Sequence, residues 1–137
     1  MREGTKMNKI WINTKVIQGK KLARKVGFPT VNLELPENIS LKRIGVYAAR
    51  VQIFNKIYSA IAYYGPRLLQ KEKEIILEAH IFDFSQEVYG EDIQISFGCF
   101  VRPPIEFSSL KEFKKQLKED CAKAKEMLLY ASETDYL

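Results

Sequence analysis

Six short segments rich in Val, Ile, Tyr and Phe, all lying ahead of one long amphipathic stretch, leave this chain few folds to adopt. Residues 9–17 alternate in part, with Ile10, Ile12 and Thr14 on one face. Residues 28–35 form a short strand that carries Pro29 at its start or on an edge. Residues 45–54 and 57–64 are strands separated by Asn55-Lys56, the length of a tight hairpin turn. Residues 75–84 and 92–101 complete the set, and Pro103-Pro104 ends it. Residues 108–130 read as the helix: Ser109 and Glu112 fit a capping box, and Leu110, Phe113, Leu117, Cys121, Ala124 and Leu128 make one apolar stripe. The tail after Ala131 is expected to fray. So many short strands otherwise leave exposed edges, so the pattern predicts a small closed barrel with the helix packed outside.

The chain has 137 residues, enough for one domain with its own core, spanning 1–137 with a core of about residues 9–130. Cys99 and Cys121 are too few for a disulfide framework and suit a reducing compartment. With a single histidine, a structural zinc site is not expected. No segment reaches the roughly 20 apolar residues of a membrane span, and the first nine residues carry no signal-type apolar run. A cytoplasmic protein is expected. The formal net charge of +5 favours anionic partners such as nucleotides and phosphates.

The segment from Gly19 to Asn32 carries the most chemistry. Glycines bracket Lys20, Lys21, Arg24 and Lys25, a composition that can cradle phosphate through backbone N–H groups and cations. It lacks the spacing of a P-loop. Thr30 and Asn32 follow at i, i+2, so in an extended segment both point the same way. Two neutral oxygens do not hold a metal alone, but they can complete the shell of a magnesium carried by ATP phosphates. In residues 75–84, Ile75, Leu77, Ala79 and Ile81 share an apolar face, which turns Glu78 and His80 to the other. Glu78 is there a candidate general base; His80 reads as structural.

Gly27-Phe-Pro-Thr-Val-Asn32 closely resembles a signature of the riboflavin kinase family. Gly45-Val-Tyr-Ala48, the run from Glu78 to Phe84, Tyr89-Gly90, and the run from Arg102 to Phe107 followed by Gln116 and Asp120 resemble further blocks of that family in the same order. The resemblance implies a six-stranded antiparallel Greek-key barrel with an added C-terminal helix. It implies transfer of the γ-phosphate of MgATP to the ribityl 5′-hydroxyl of riboflavin, giving FMN. Carried over residue by residue, it places Gly19, Arg24, Ile81, Asp83 and Tyr89 at the nucleotide, Thr30 and Asn32 at Mg²⁺, Glu78 as the catalytic carboxylate, and Arg102, Ile105 and Phe107 at the flavin. A monomer acting on small molecules, away from membrane and nucleic acid, is the expectation. No adenylyltransferase segment precedes the barrel, so FMN and not FAD is the expected product.

Three positions depart from the family pattern. Ala23 stands where the family has glycine. Tyr63-Tyr-Gly-Pro-Arg-Leu-Leu69 replaces Asn-Ile-Gly-x-Arg-Pro-Thr, and Pro104 stands where a glutamate is usual. They leave a second reading open: a flavin- or nucleotide-binding module without catalysis. The positive charge leaves a third, a basic barrel that binds nucleic acid.

Overall fold

The computed structural model describes residues 10–18, 27–37, 39–67 and 73–134, with side chains through residue 130. Strands β1 (Ile12–Ile17), β2 (Val31–Leu33), β3 (Gly45–Ile53), β4 (Lys56–Pro66), β5 (Ile75–Ile81) and β6 (Asp92–Arg102) precede helix α1 (Leu110–Thr134). The strands close into a barrel in the order β1-β2-β5-β4-β3-β6, and every pair is antiparallel. The hairpin-linked run β3-β4-β5 is flanked by β6 and β2, with β1 joining them. This is the predicted Greek-key barrel with one helix outside.

Alternation sorts the side chains. Val16, Leu33, Val51, Leu77, Ala79, Ile81 and Ile95 point inward and fill the barrel. A second core lies outside the wall, where Val46, Ala48 and Ile61 receive Cys121, Ala124 and Leu128 of α1, together with Phe82. This double coverage explains why β3 is buried without a break from Gly45 to Ala49: one parity faces the barrel, the other faces the helix. The stripe on α1 is core, although its first member, Leu110, is exposed.

The helix begins on a cap. Ser109 Oγ accepts from the Glu112 N–H at 3.2 Å. Glu112 reaches back to Ser108, whose hydroxyl and N–H donate to its carboxylate at 2.9 and 3.3 Å, so the box spans two serines. At the other end α1 continues through Thr134, past the expected fraying point. Among the described residues, no helix is long and apolar enough to cross a membrane.

Several boundaries differ from expectation, each for a local reason. The β3–β4 turn is Phe54-Asn55, one residue earlier than Asn55-Lys56, because Ile53 pairs with Lys56. Both turn residues have positive φ, 51° and 63°, as a primed hairpin turn requires. Strand β2 shrinks to three residues, since Pro29 cannot donate to a ladder. β5 stops at Ile81 because Asp83 turns into the left-handed region at φ 56°. Ile10 precedes β1 and is exposed, leaving Ile12 and Thr14 on the inward side.

Two bulges on β6 carry the most consequence. Tyr47 pairs with Phe100 but its neighbour Val46 pairs with Arg102, so β6 holds an extra residue there, and another between Phe97 and Phe100. The two extra residues leave parity unchanged but advance the register, so that outward-facing Arg102, and not Phe100, lies opposite Val46 and reaches α1. Its Nε and Nη2 meet the two Asp120 carboxylate oxygens at 2.9 and 2.7 Å. Gln116 Nε2 donates to the same carboxylate at 3.0 Å. Gly45 permits the approach, since a Cβ there would sit 2.2 Å from the Arg102 carbonyl oxygen.

Asp120 is 2% exposed, and Arg102 is its ion-pair partner. Removing one member of such a pair strands the other charge. Asp120→Ala is therefore expected to cost about 3–5 kcal/mol, read from the urea midpoint. A loss below about 1 kcal/mol, the range of surface pairs, would show that the pair does not fasten the helix.

Candidate active site

Ladder register lines up the outward-facing chemistry. Asn32 of β2 lies opposite Glu78 of β5, Glu78 opposite Tyr63 of β4, Tyr63 opposite Val46 of β3, and Val46 opposite Arg102 of β6. Directly paired residues share a sheet face. One transverse row thus carries an amide, a carboxylate, a phenol and a guanidinium across the outer wall.

Asn32 is buried, and its Oδ1 accepts from Arg67 Nη2 at 2.8 Å. Its Nδ2 and the nearby Thr30 Oγ1 are buried with no hydrogen-bond partner among the described residues. Buried polar atoms are normally paired, so these two mark a place shaped for something else. Thr30 is held by its neighbour: His80 Nδ1 lies 2.7 Å from the Pro29 carbonyl oxygen, a bond in which that nitrogen donates. The His80 ring stands edge-on between Phe28 and Phe82. His80 is structural, as read from the sequence, and it fixes the backbone that presents Thr30.

Burial pushes the Glu78 carboxyl above the ordinary carboxylate range, and the Arg67 charge opposes the rise. A carboxylate so placed is a better proton acceptor than a solvated one. Tyr63 is pushed up to about 12, first by burial and then by the Glu78 charge, with Arg102 opposing. It stays a neutral donor, and its hydroxyl donates to the Pro66 carbonyl.

A cavity of ≈ 700 Å³ opens where β1 ends and β2 begins. Thr30, Asn32, Ile81 and Tyr89 line it together with Gln18 and Phe84. The structure thus brings together four of the predicted residues. Glu78 lies one rung away, opposite Asn32. Asp83 is exposed in the turn after β5, beside the cavity but not on its wall. Gly19, Arg24 and Ala23 lie outside the described residues, as do Leu68 and Leu69.

The predicted flavin residues form a separate cluster at the other end of the row. The Phe107 ring leans on Phe113 at 5.3 Å, and the Arg102 guanidinium lies 5.9 Å from its centre. Ile105 is exposed. Arg102 commits three of its five donors to Asp120 and to the Pro103 carbonyl, so its first task is to join β6 to α1.

Sequence reasoning missed Arg67 as a site residue. The available signal was parity: Tyr63 and Arg67 are four residues apart on an extended chain, so both fall on the Glu78 side.

A pH prediction follows from Glu78. Its folded pKa lies above the unfolded one, so it contributes stability below the ordinary carboxylate pKa and loses it as pH rises through the folded value. Glu78→Gln is expected to raise Tm by several degrees near about pH 7.5, the gain vanishing near about pH 4, where the native carboxyl is also neutral. A variant no more stable at the higher pH would contradict the burial of a charged Glu78.

The sequence matches the family model "Flavokinase: Riboflavin kinase" over residues 7–128. It is 37% identical over 112 residues to the bifunctional riboflavin kinase/FMN adenylyltransferase of Haemophilus influenzae, a match covering 81% of this chain and 36% of that protein. The chain thus spans about a third of the length of such a relative. The fold superposes with TM-score 0.75 on a crystal structure described as a macrolide-efflux protein from Streptococcus pneumoniae, at 30% identity over 84% of this chain and 38% of that one. Against riboflavin kinase from Trypanosoma brucei the TM-score is 0.60 at 22% identity, covering 87% and 79% of the two chains. With a family match across nearly its whole length, this chain belongs to the riboflavin kinase family.

Proposed function

We propose that this chain transfers the γ-phosphate of ATP to the ribityl 5′-hydroxyl of riboflavin, yielding FMN and ADP. The observation that carries the reading is the single rung joining Asn32 to Glu78: a desolvated carboxylate faces a buried amide beside a large cavity. Phosphoryl transfer asks mainly for positioning and charge stabilisation, and this rung supplies the positioning.

In this reading the polyphosphate occupies the cavity by Thr30 and Tyr89, with Ile81 and Asp83 toward the nucleoside. Gly19 and Arg24 complete the phosphate loop, a role implied by family resemblance. Phe107 and Ile105 offer an apolar surface to the isoalloxazine, and Arg102 has two N–H donors left for its polar atoms. The row from Arg102 to Asn32 then spans flavin and nucleotide, with Glu78 between them. Glu78 accepts the 5′-hydroxyl proton as that oxygen bonds to the γ-phosphorus and the bond to the β-bridging oxygen breaks, with ADP as leaving group.

A magnesium ion arriving with the nucleotide fits the unpartnered Thr30 hydroxyl, and Asn32 Oδ1, bonded to Arg67 in the free protein, would offer a further neutral oxygen once that bond is released. When bound, it would neutralise charge on the phosphates. Among the described residues no group of three His, Cys, Asp or Glu side chains competes for that ion. A cytoplasmic monomer with free thiols, acting on small molecules, is consistent with this chemistry.

Incubation with riboflavin, Mg²⁺ and ATP should give FMN by chromatography, above a protein-free control. Flavin fluorescence quenching without FMN would instead favour a binding module. Glu78→Gln is expected to retain nucleotide binding and to lose about 10²- to 10⁴-fold in rate; near-normal turnover would remove Glu78 from the reaction. Thr30→Ala and Asn32→Ala should each raise the KM for MgATP, and normal affinity in both would dismiss the proposed metal pair.

A further inference from the structure

Arg67 follows the last rung of β4, where Pro66 pairs with Ile75. Its guanidinium reaches back across the wall to the Asn32 amide oxygen at 2.8 Å. The backbone that carries it is pinned, because the Tyr63 hydroxyl donates to the carbonyl of Pro66, the residue just before it. Gly65 leaves room for this bond, since a Cβ there would lie 2.9 Å from the Tyr63 hydroxyl oxygen. Tyr63, Gly65 and Pro66 thus act together to aim Arg67 at the site. The same charge acts on Glu78, opposite Asn32 in the ladder.

One guanidinium therefore bonds an amide oxygen and sets its charge near the carboxylate opposite, two groups that a divalent cation would also seek. We infer that Arg67 is the built-in counter-cation of the ligand-free site, holding Asn32 beside Glu78 until metal and nucleotide arrive together. This inference rests on the phosphotransferase reading. A bare Mg²⁺ meets a fixed positive charge on the very oxygen it needs, so repulsion excludes it. A metal–nucleotide complex brings polyphosphate, which gives the displaced guanidinium a bidentate anionic partner. Metal entry is thereby made conditional on nucleotide, and Arg67 is a positioning residue that exchanges Asn32 for phosphate.

The test is calorimetric titration of Mg²⁺ alone into the nucleotide-free protein. Wild type and R67K, which both keep a cation, should show no saturable binding. R67Q should bind Mg²⁺ at least about tenfold more tightly, because the repelling charge is gone. R67Q binding no more tightly than wild type overturns the inference. Should R67Q not fold, the wild-type Arg67 Nε–H resonance decides: it should move with Mg²⁺ plus a non-hydrolysable ATP analogue and stay put with Mg²⁺ alone. A resonance unmoved by the metal–nucleotide complex overturns the inference as well. The FMN assay on wild type separates the two layers. Protein that makes FMN, with R67Q no better at binding Mg²⁺, sinks the counter-cation alone. Protein that makes no FMN sinks the reaction beneath it.

Discussion

A slip of one residue in the pairing of β5 would turn Glu78 into the barrel and push Leu77, Ala79 and Ile81 out of it. Side-chain parity in a ladder is absolute, so register determines whether this molecule has a site at all. The apolar alternation on β5 therefore does two jobs. Ile81, Ala79 and Leu77 lock the register through the barrel core, and in doing so they set Glu78 on the outer rung between Asn32 and Tyr63. Closure extends the constraint around the ring: with β1 tied to both β2 and β6, no strand can shift without disturbing its neighbours.

The outer wall is where the chain spends its irregularities. α1 covers Val46, Ala48 and Ile61 and leaves the Asn32–Glu78 rung to the cavity side. Small residues make this possible: Ala48 and Ala124 are fully buried at the contact, letting helix and sheet approach closely. The bulges in β6 deliver Arg102 to Asp120. Arg50 Nη2 adds a second tie, to the Leu128 carbonyl at 3.2 Å. The helix is thereby a lateral support for the cluster of Phe107 and Arg102, because Phe113 backs Phe107 and Asp120 holds Arg102.

How much of this could be read beforehand depends on the kind of signal. The six strands, the helix, its cap and the outward turn of Glu78 follow from period-two and heptad-like patterns, which are local. The turn at Phe54-Asn55 was displaced by one residue because a bulky residue at φ 51° contradicts simple preference; pairing of Ile53 with Lys56 overrode it. The outward side of Arg102 follows from parity with Ile93 and Ile95, but its place opposite Val46, where regular pairing would put Phe100, depends on extra residues that only the partner strand reveals. Thr30, Asn32, Ile81 and Tyr89 were found through family resemblance, and they do meet at one cavity. Tyr63 was legible only as a departure from the family. The structure supplies its reason, a hydroxyl bonded to Pro66, which no spacing rule contains.

The same residues show why a site of this kind is costly to keep. Thr30 Oγ1 and Asn32 Nδ2 are buried without partners among the described residues, and each such atom costs on the order of 1–3 kcal/mol. Glu78 is held in a place that disfavours its charge. An apolar replacement of these three would suit the fold better and could not serve the proposed binding of a phosphate donor or uptake of a proton. Arg67 reduces the cost without removing it: its hydrogen bond to Asn32 and its charge beside Glu78 supply in the free protein part of what substrates would supply in the complex. Under the proposed function, the unpaired groups of the site find their partners only when the ligands bind.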